Sequence, residues 1–160
     1  KSGLGTYAVQ IGDLIVGAIV AVNALGDVVD VDTGKRLAGI LNREKTALSS
    51  TEDTMYEEYD SSKNVFSGNT TIGCIITNAK LTKSQANKLA SVAHNGYARA
   101  IRPVHTMADG DTIFALSTGN VEVMPDAVGA LAAHVMAKAI NRAVLEAEPA
   151  FGLKAARDFL

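Results

Sequence analysis

Thr70 sits where the chain changes character. The polar, acidic stretch before it gives way, through Gly68-Asn69-Thr70-Thr71-Ile72-Gly73, to the apolar run Ile72–Ile76. If the Asn69–Thr70 bond were cut, Thr70 would become a chain terminus, and an N-terminal threonine carries nucleophile and base in one residue. From composition alone the same threonine reads as an ordinary strand residue, because threonine favours strands. Asp109-Gly110-Asp111, just ahead of another strand-like run, also has two readings. Aspartate and glycine together make a turn, or the two acids sit at a strand mouth and hold a base or a hydroxyl in place. Asn23, at the end of an apolar run, is either a satisfied strand-end residue or an amide donor to a developing oxyanion.

Other residue patterns carry less chemistry. His94, His105 and His134 fall on one helix, one loop and another helix, with no spacing of the His-Glu-x-x-His kind, so no metal site is expected. His105 and Asp109 share a loop in which they could approach each other. The glycines of Lys1-Ser2-Gly3-Leu4-Gly5 have no strand before them and no helix after, which discounts a phosphate-binding loop. A single cysteine, Cys74, excludes an intrachain disulfide framework and a multi-cysteine metal site, and is expected as a buried small hydrophobe.

Composition bounds the rest. With 160 residues, 48% hydrophobic and 20% charged, the chain suits one domain with a real core, or half of a larger one. Its 15 basic and 17 acidic residues leave a net charge of −2 and no positive excess to hold a phosphate backbone, so no nucleic-acid partner is expected. The longest apolar run, Leu14–Val22, is far shorter than the roughly 20 residues of a spanning helix. No charged start with an apolar stretch and a small-residue cleavage site is present, so a soluble, cytoplasmic protein without membrane partners is expected.

The elements that must position these residues follow from periodicity. Thr6–Gln10 and Leu14–Asn23 read as strands joined by a Gly12-Asp13 hairpin, and the second, apolar on both faces, reads as fully buried. Asp27–Val31 is a shorter strand ending in the turn Asp32-Thr33-Gly34. Residues 42–69 carry Glu44, Glu52, Asp53, Glu57, Glu58 and Asp60 among serines and threonines and read as an exposed acidic connector, with a short helix around Thr51–Tyr59. Beyond Thr70 the pattern is strand, helix, strand, helix. Thr71–Thr77 is a strand, and Thr82 with Gln85 makes a capping box for a helix whose buried stripe is Ala86, Leu89, Ala90, Ala93 and Tyr97. Asp111–Ser117 is the next strand. Pro125 and Asp126 open a long helix with the apolar face Val128, Leu131, Ala132, Val135, Met136, Ala139 and Ala143. No internal repeat or low-complexity tract interrupts this order.

Taken together and in order, several segments carry a family likeness. They are Lys1-Ser2-Gly3-Leu4-Gly5, Val16-Gly17-Ala18, Val20-Ala21-Val22-Asn23-Ala24-Leu25-Gly26-Asp27-Val28, Asn69-Thr70-Thr71-Ile72-Gly73, His105-Thr106 and Asp109-Gly110-Asp111-Thr112. The chain resembles the self-processing N-terminal-nucleophile aminopeptidase and amidase family that includes L-aminopeptidase/D-esterase and the β-peptidyl aminopeptidases. A threonine preceded by asparagine, with two later aspartates, is closest to the branch containing the nylon-oligomer endo-hydrolase.

The resemblance implies an α/β fold, a layered sandwich of the α-β-β-α type, of which this chain looks like the second half. It implies autocleavage between Asn69 and Thr70, with residues 1–69 the C-terminal part of a larger subunit and 70–160 a smaller subunit, both parts of one domain. Thr70 would be the nucleophile, Asp109 and Asp111 would support it, and Asn23 would stabilise the oxyanion; no cofactor is implied. The expected partners are a small peptide or amide substrate, the missing N-terminal half or a partner subunit, and further copies in a homo-oligomer, which the alanine-rich helix faces also suggest. The competing expectation is a noncatalytic α/β assembly or ligand-binding module on the same scaffold. Acyl transfer is a third, since an acyl-enzyme need not be resolved by water.

Overall fold

The structure, a computed structural model, describes residues 1–59 and 68–160. Strands β1 (Leu4–Ile11) and β2 (Leu14–Ala21) form the hairpin, with Gly12 in the left-handed region at φ 58° as a two-residue loop requires. They are followed by β3 (Asp27–Val29), β4 (Arg36–Ala38) and α1 (Thr51–Glu57). The second part runs β5 (Ile72–Ala79), α2 (Lys83–Ala100), β6 (Ile101–Arg102), β7 (Thr112–Val121) and α3 (Pro125–Leu145), with a final 3-10 turn at Ala156–Asp158.

Two sheets result. The larger has the order β1-β2-β5-β7, antiparallel except for the parallel pair β5–β7, and the smaller has the order β4-β3-β6. The parallel pair is possible because α2 carries the chain back to the starting edge. The capping box at Thr82 and Gln85 forms as expected. α2 and α3 pack on each other, and α3 covers β1 and β2. The core lies between these helices and one face of the large sheet: Val16, Val20 and Ile75 from strands meet Tyr97, Val128, Met136 and Ile140 from helices. Among the described residues α3 alone is long and apolar enough to cross a membrane, but two-thirds of its most apolar stretch is buried inside this domain, as a core helix is.

Close approach sets the residue choice at the β1–α3 contact. A Cβ added at Gly5 would overlap the Ala139 carbonyl and lie 2.6 Å from Ala143 N, so only glycine lets the helix settle on the strand. On α3 the buried Asn141 ties in the smaller sheet, donating to Val29 O (2.7 Å) and accepting from Val31 N (3.0 Å).

The opposite face of the large sheet is apolar and open. Register places Thr6, Ile19, Cys74 and Phe114 in one row across it, and Leu4, Ala21, Ile72 and Thr112 in the next. Ile72 is 50% exposed and Phe114 58%. β2 is therefore buried on one face only, and Cys74, expected in the core, is half-buried on the open side. Both sequence expectations assumed a covered sheet.

The acidic connector is also tied down more firmly than its composition suggests. Asp27, 2% exposed, accepts from Thr51 Oγ1 (2.6 Å), Thr51 N (2.9 Å) and Arg36 Nε (3.0 Å), which anchors the start of α1. Asp60, counted in that connector, lies outside the described residues. The short strands β4 and β6 are absent from the sequence reading, and β7 runs four residues past Ser117.

Gly5→Ala is expected to lower stability by about 3 kcal/mol, because rigid backbone blocks the new methyl. Chemical denaturation at equilibrium checks this; a loss below 1 kcal/mol would mean that α3 moves aside easily.

Candidate active site

Three segments distant in sequence meet at one end of the large sheet. β5 and β7 run parallel, with Ile72 opposite Thr112, so the residues entering them lie side by side. β2 runs antiparallel to β5, with Ala21 opposite Ile72, so the residues leaving β2 arrive at the same end. The ladder extends past the strands: Asn69 bridges to Asp109, Gly110 N donates to Asn69 O (3.0 Å), and Thr112 N donates to Thr71 O (3.0 Å).

Thr70 lies in the middle of this junction. Its amide donates to Asn23 O (2.9 Å), and its hydroxyl donates to Asn69 O (2.5 Å), the carbonyl of its own preceding peptide bond. The Asn23 carboxamide is directed elsewhere, with Nδ2 donating to Gly68 O (3.2 Å). All four residues singled out in the sequence, Asn23, Thr70, Asp109 and Asp111, thus come together, Asp111 through its bond to the amide of Thr71 (2.9 Å).

The two aspartates are held differently. Asp109 Oδ2 accepts from the hydroxyl (2.8 Å) and the amide (3.2 Å) of Thr106, whereas its Oδ1 is buried with no partner among the described residues. Asp111 accepts from Thr71 N on one oxygen and faces His105 Nδ1 at 3.4 Å on the other. His105 therefore meets Asp111 and not Asp109, because Thr106 and Asp109 close a turn of their own. His105 has φ 56°, an uncommon conformation for a residue with a side chain. Its ring stacks on Tyr97, with centroids 6.1 Å apart, and meets His94 edge-on at 4.8 Å. Tyr97 OH donates to Thr71 O (3.2 Å) and Thr112 O (3.3 Å), supporting both strand entries from below.

Burial dominates the electrostatics of this cluster. It pushes the Asp111 carboxyl above its ordinary value, with the Asp109 charge adding to the rise while the Thr71 amide and the two histidines oppose it. Burial lowers His94, with the neighbouring His105 acting in the same direction. Burial likewise raises the Tyr97 phenol, with the Asp111 charge adding to it, so the phenol stays a neutral donor. Among the described residues no group of three or more histidines, cysteines or acids could hold a metal ion.

The sequence reading missed two features. One is the Gly110 amide on Asn69 O, which only its place between two flagged aspartates could have suggested. The other is the His105–Asp111 pair.

A raised carboxyl pKa favours the folded state fully below the unfolded value, near 3.9, and that contribution is lost as pH rises through the higher folded value. Asp111→Asn keeps an acceptor for the Thr71 amide and removes this burden. Its melting temperature relative to the parent is expected to climb between pH 4 and pH 7; a pH-independent difference would show that the His105 pairing cancels the cost of burial.

A family model described as Peptidase family S58 matches residues 1–157. An uncharacterized aminopeptidase of Mycobacterium tuberculosis is 37% identical over 178 residues, covering 99% of this chain and 52% of that protein. A 6-aminohexanoate-oligomer endohydrolase of Paenarthrobacter ureafaciens is 30% identical over 166 residues, covering 89% of this chain and 44% of that protein. The chain spans about half the length of the curated relatives it matches. Among solved structures, the L-aminopeptidase D-Ala-esterase/amidase of Ochrobactrum anthropi, described as a variant of the Ntn hydrolase fold, superposes with a TM-score of 0.59 at 20% identity, covering 92% of this chain and 41% of that one. That likeness shows the fold, a mixed α/β arrangement in which this chain supplies a helix layer and a sheet layer. By the family match over nearly its whole length, the chain belongs to Peptidase family S58.

Proposed function

We propose that this chain is the nucleophile-bearing part of a self-processing amide hydrolase acting on peptide-like or oligoamide substrates. One observation carries the reading: the Thr70 hydroxyl lies 2.5 Å from the oxygen of the very peptide bond whose cleavage would free it. In the first step Thr70 Oγ1 bonds to the Asn69 carbonyl carbon, the carbonyl electron pair moves to oxygen, and the hydroxyl proton passes to a nearby acceptor. Asp109 Oδ1, buried and without a hydrogen-bond partner among the described residues, is the acceptor this reading assigns, reached once the Thr70 hydroxyl turns from Asn69 O. The intermediate collapses with loss of the carbon–nitrogen bond, the nitrogen takes up the proton, and an ester links Asn69 to Thr70 Oγ1. Water then hydrolyses the ester, leaving an Asn69 carboxylate and a free Thr70 amine.

An α-amino group ordinarily titrates near pH 8, so a fraction of it is neutral in the physiological range and can take the proton from its own hydroxyl when a substrate carbonyl arrives. Acyl-enzyme formation and hydrolysis then repeat the same chemistry on the substrate. Asp109 and Asp111 hold the junction and offset charge on the ammonium, and Asn23 donates to the substrate oxyanion. A cavity of about 400 Å³ bordered by Asn69, Val22, Leu25, Gly39 and Ile40 offers room, in this reading, for the acyl side of a substrate. The relatives named for oligoamide and peptide substrates support this class.

The open apolar sheet face supports a partner that completes the domain, either the remaining half of the fold or a separate subunit. A contiguous apolar surface of this kind marks an interaction site.

Intact mass and N-terminal sequencing of the complete polypeptide test the nucleophile. A fragment beginning at Thr70 is expected from the parent and from Thr70→Ser, and only an uncut chain from Thr70→Ala. A cleaved, active Thr70→Ala protein would overturn the reading, and a permanently uncut parent would favour a noncatalytic module. Phe114→Asp or Ile76→Asp, on the open face, is expected to release the completing half and abolish turnover, read by co-purification.

A further inference from the structure

We infer that Gly110 is a catalytic residue of the self-cleavage step, serving the reaction through its amide and through its lack of a side chain. The inference rests on the reading of Thr70 as nucleophile. Gly110 N–H points at Asn69 O from 3.0 Å, and that oxygen takes on the negative charge when Thr70 Oγ1 bonds to the carbonyl carbon. A backbone donor already aimed at this atom strengthens as charge develops and needs no reorganisation. The same glycine borders the nucleophile, since a Cβ built on it would lie 2.7 Å from Thr70 Oγ1, closer than such atoms approach. Its backbone is not in the left-handed region, so the site demands a glycine for room and not for conformation.

The carboxamide of Asn23 cannot fill this role in the uncut chain, because it is engaged with Gly68 O. Before cleavage, Asn23 holds the segment entering the scissile bond, and Gly110 serves the oxyanion. Once the chain ending in Asn69 moves away, Nδ2 of Asn23 is released for the carbonyl of an incoming substrate. The two donors thus act in succession on the two reactions of one nucleophile.

Two variants of the complete polypeptide test this by the first-order rate of conversion to the Thr70 fragment. Gly110→Ala crowds the hydroxyl and is expected to slow conversion about 100-fold, the scale of an ångström's misplacement. Replacing the residue-110 amide by an ester, through incorporation of glycolic acid, removes the N–H alone and is expected to slow conversion about 100- to 1000-fold, with the melting temperature little changed. Parent-like rates in either variant would overturn the assignment. If Gly110→Ala fails to fold, the ester variant decides alone. An uncut parent would instead remove the Thr70 reading itself, and the role of Gly110 with it.

Discussion

The pairing of β5 with β7 in parallel register is the constraint from which the site follows. Two segments some 40 residues apart enter neighbouring strands from the same end, and the ladder fixes their offset to within one residue. A slip of one position would carry Asp111 away from Thr71 and turn Ile75 out of the core, so the burial of one sheet face also sets the alignment of the site. α2 enforces the arrangement twice, as the crossover that makes parallel pairing possible and as the carrier of Tyr97, whose hydroxyl bonds to a carbonyl of each strand entry.

Packing below the sheet is closer than alanine content alone would give. Gly5 on β1 and Gly96 on α2 both meet α3 backbone where no side chain fits. Helices and sheet therefore meet backbone against backbone, and the strained His105 loop is mounted on them. Strain of this sort persists only where the surroundings over-determine it. Here Tyr97, His94 and Asp111 surround the imidazole on three sides.

Long elements were legible because their periods repeat: the stripe on α2, the face of α3 and the two-residue hairpin all stand as read. β4 and β6, three and two residues long, hold too little sequence to show a period. Toward the end of β7, Thr118-Gly119-Asn120 lie exposed and are polar, so the strand left no alternating apolar trace there. Cys74 was misplaced because β5 is apolar on both faces, and alternation cannot then say which side is covered. At the site, Thr70, Asp109 and Asp111 were visible through their residue types and linked motifs. The Gly110 amide was not, since a backbone donor has no letter of its own, and Asn23 was identified without its actual partner, Gly68 O, because that contact depends on how the chain enters β5.

The junction between residues 69 and 70 divides the large sheet at its centre. β1 and β2 lie on one side of that bond and β5 and β7 on the other, while α3 from the later part packs across β1 and β2 from the earlier. A break there would leave the β2–β5 pairing and the packing of α3 to hold the two parts together, and would convert a strand pair within one chain into a pair between two chains. The native state would then be reached by a unimolecular path and left by one whose reversal needs two molecules to meet. Stability after the break would depend on concentration, and lifetime would be governed by the rate of unfolding rather than by an equilibrium between folded and unfolded forms.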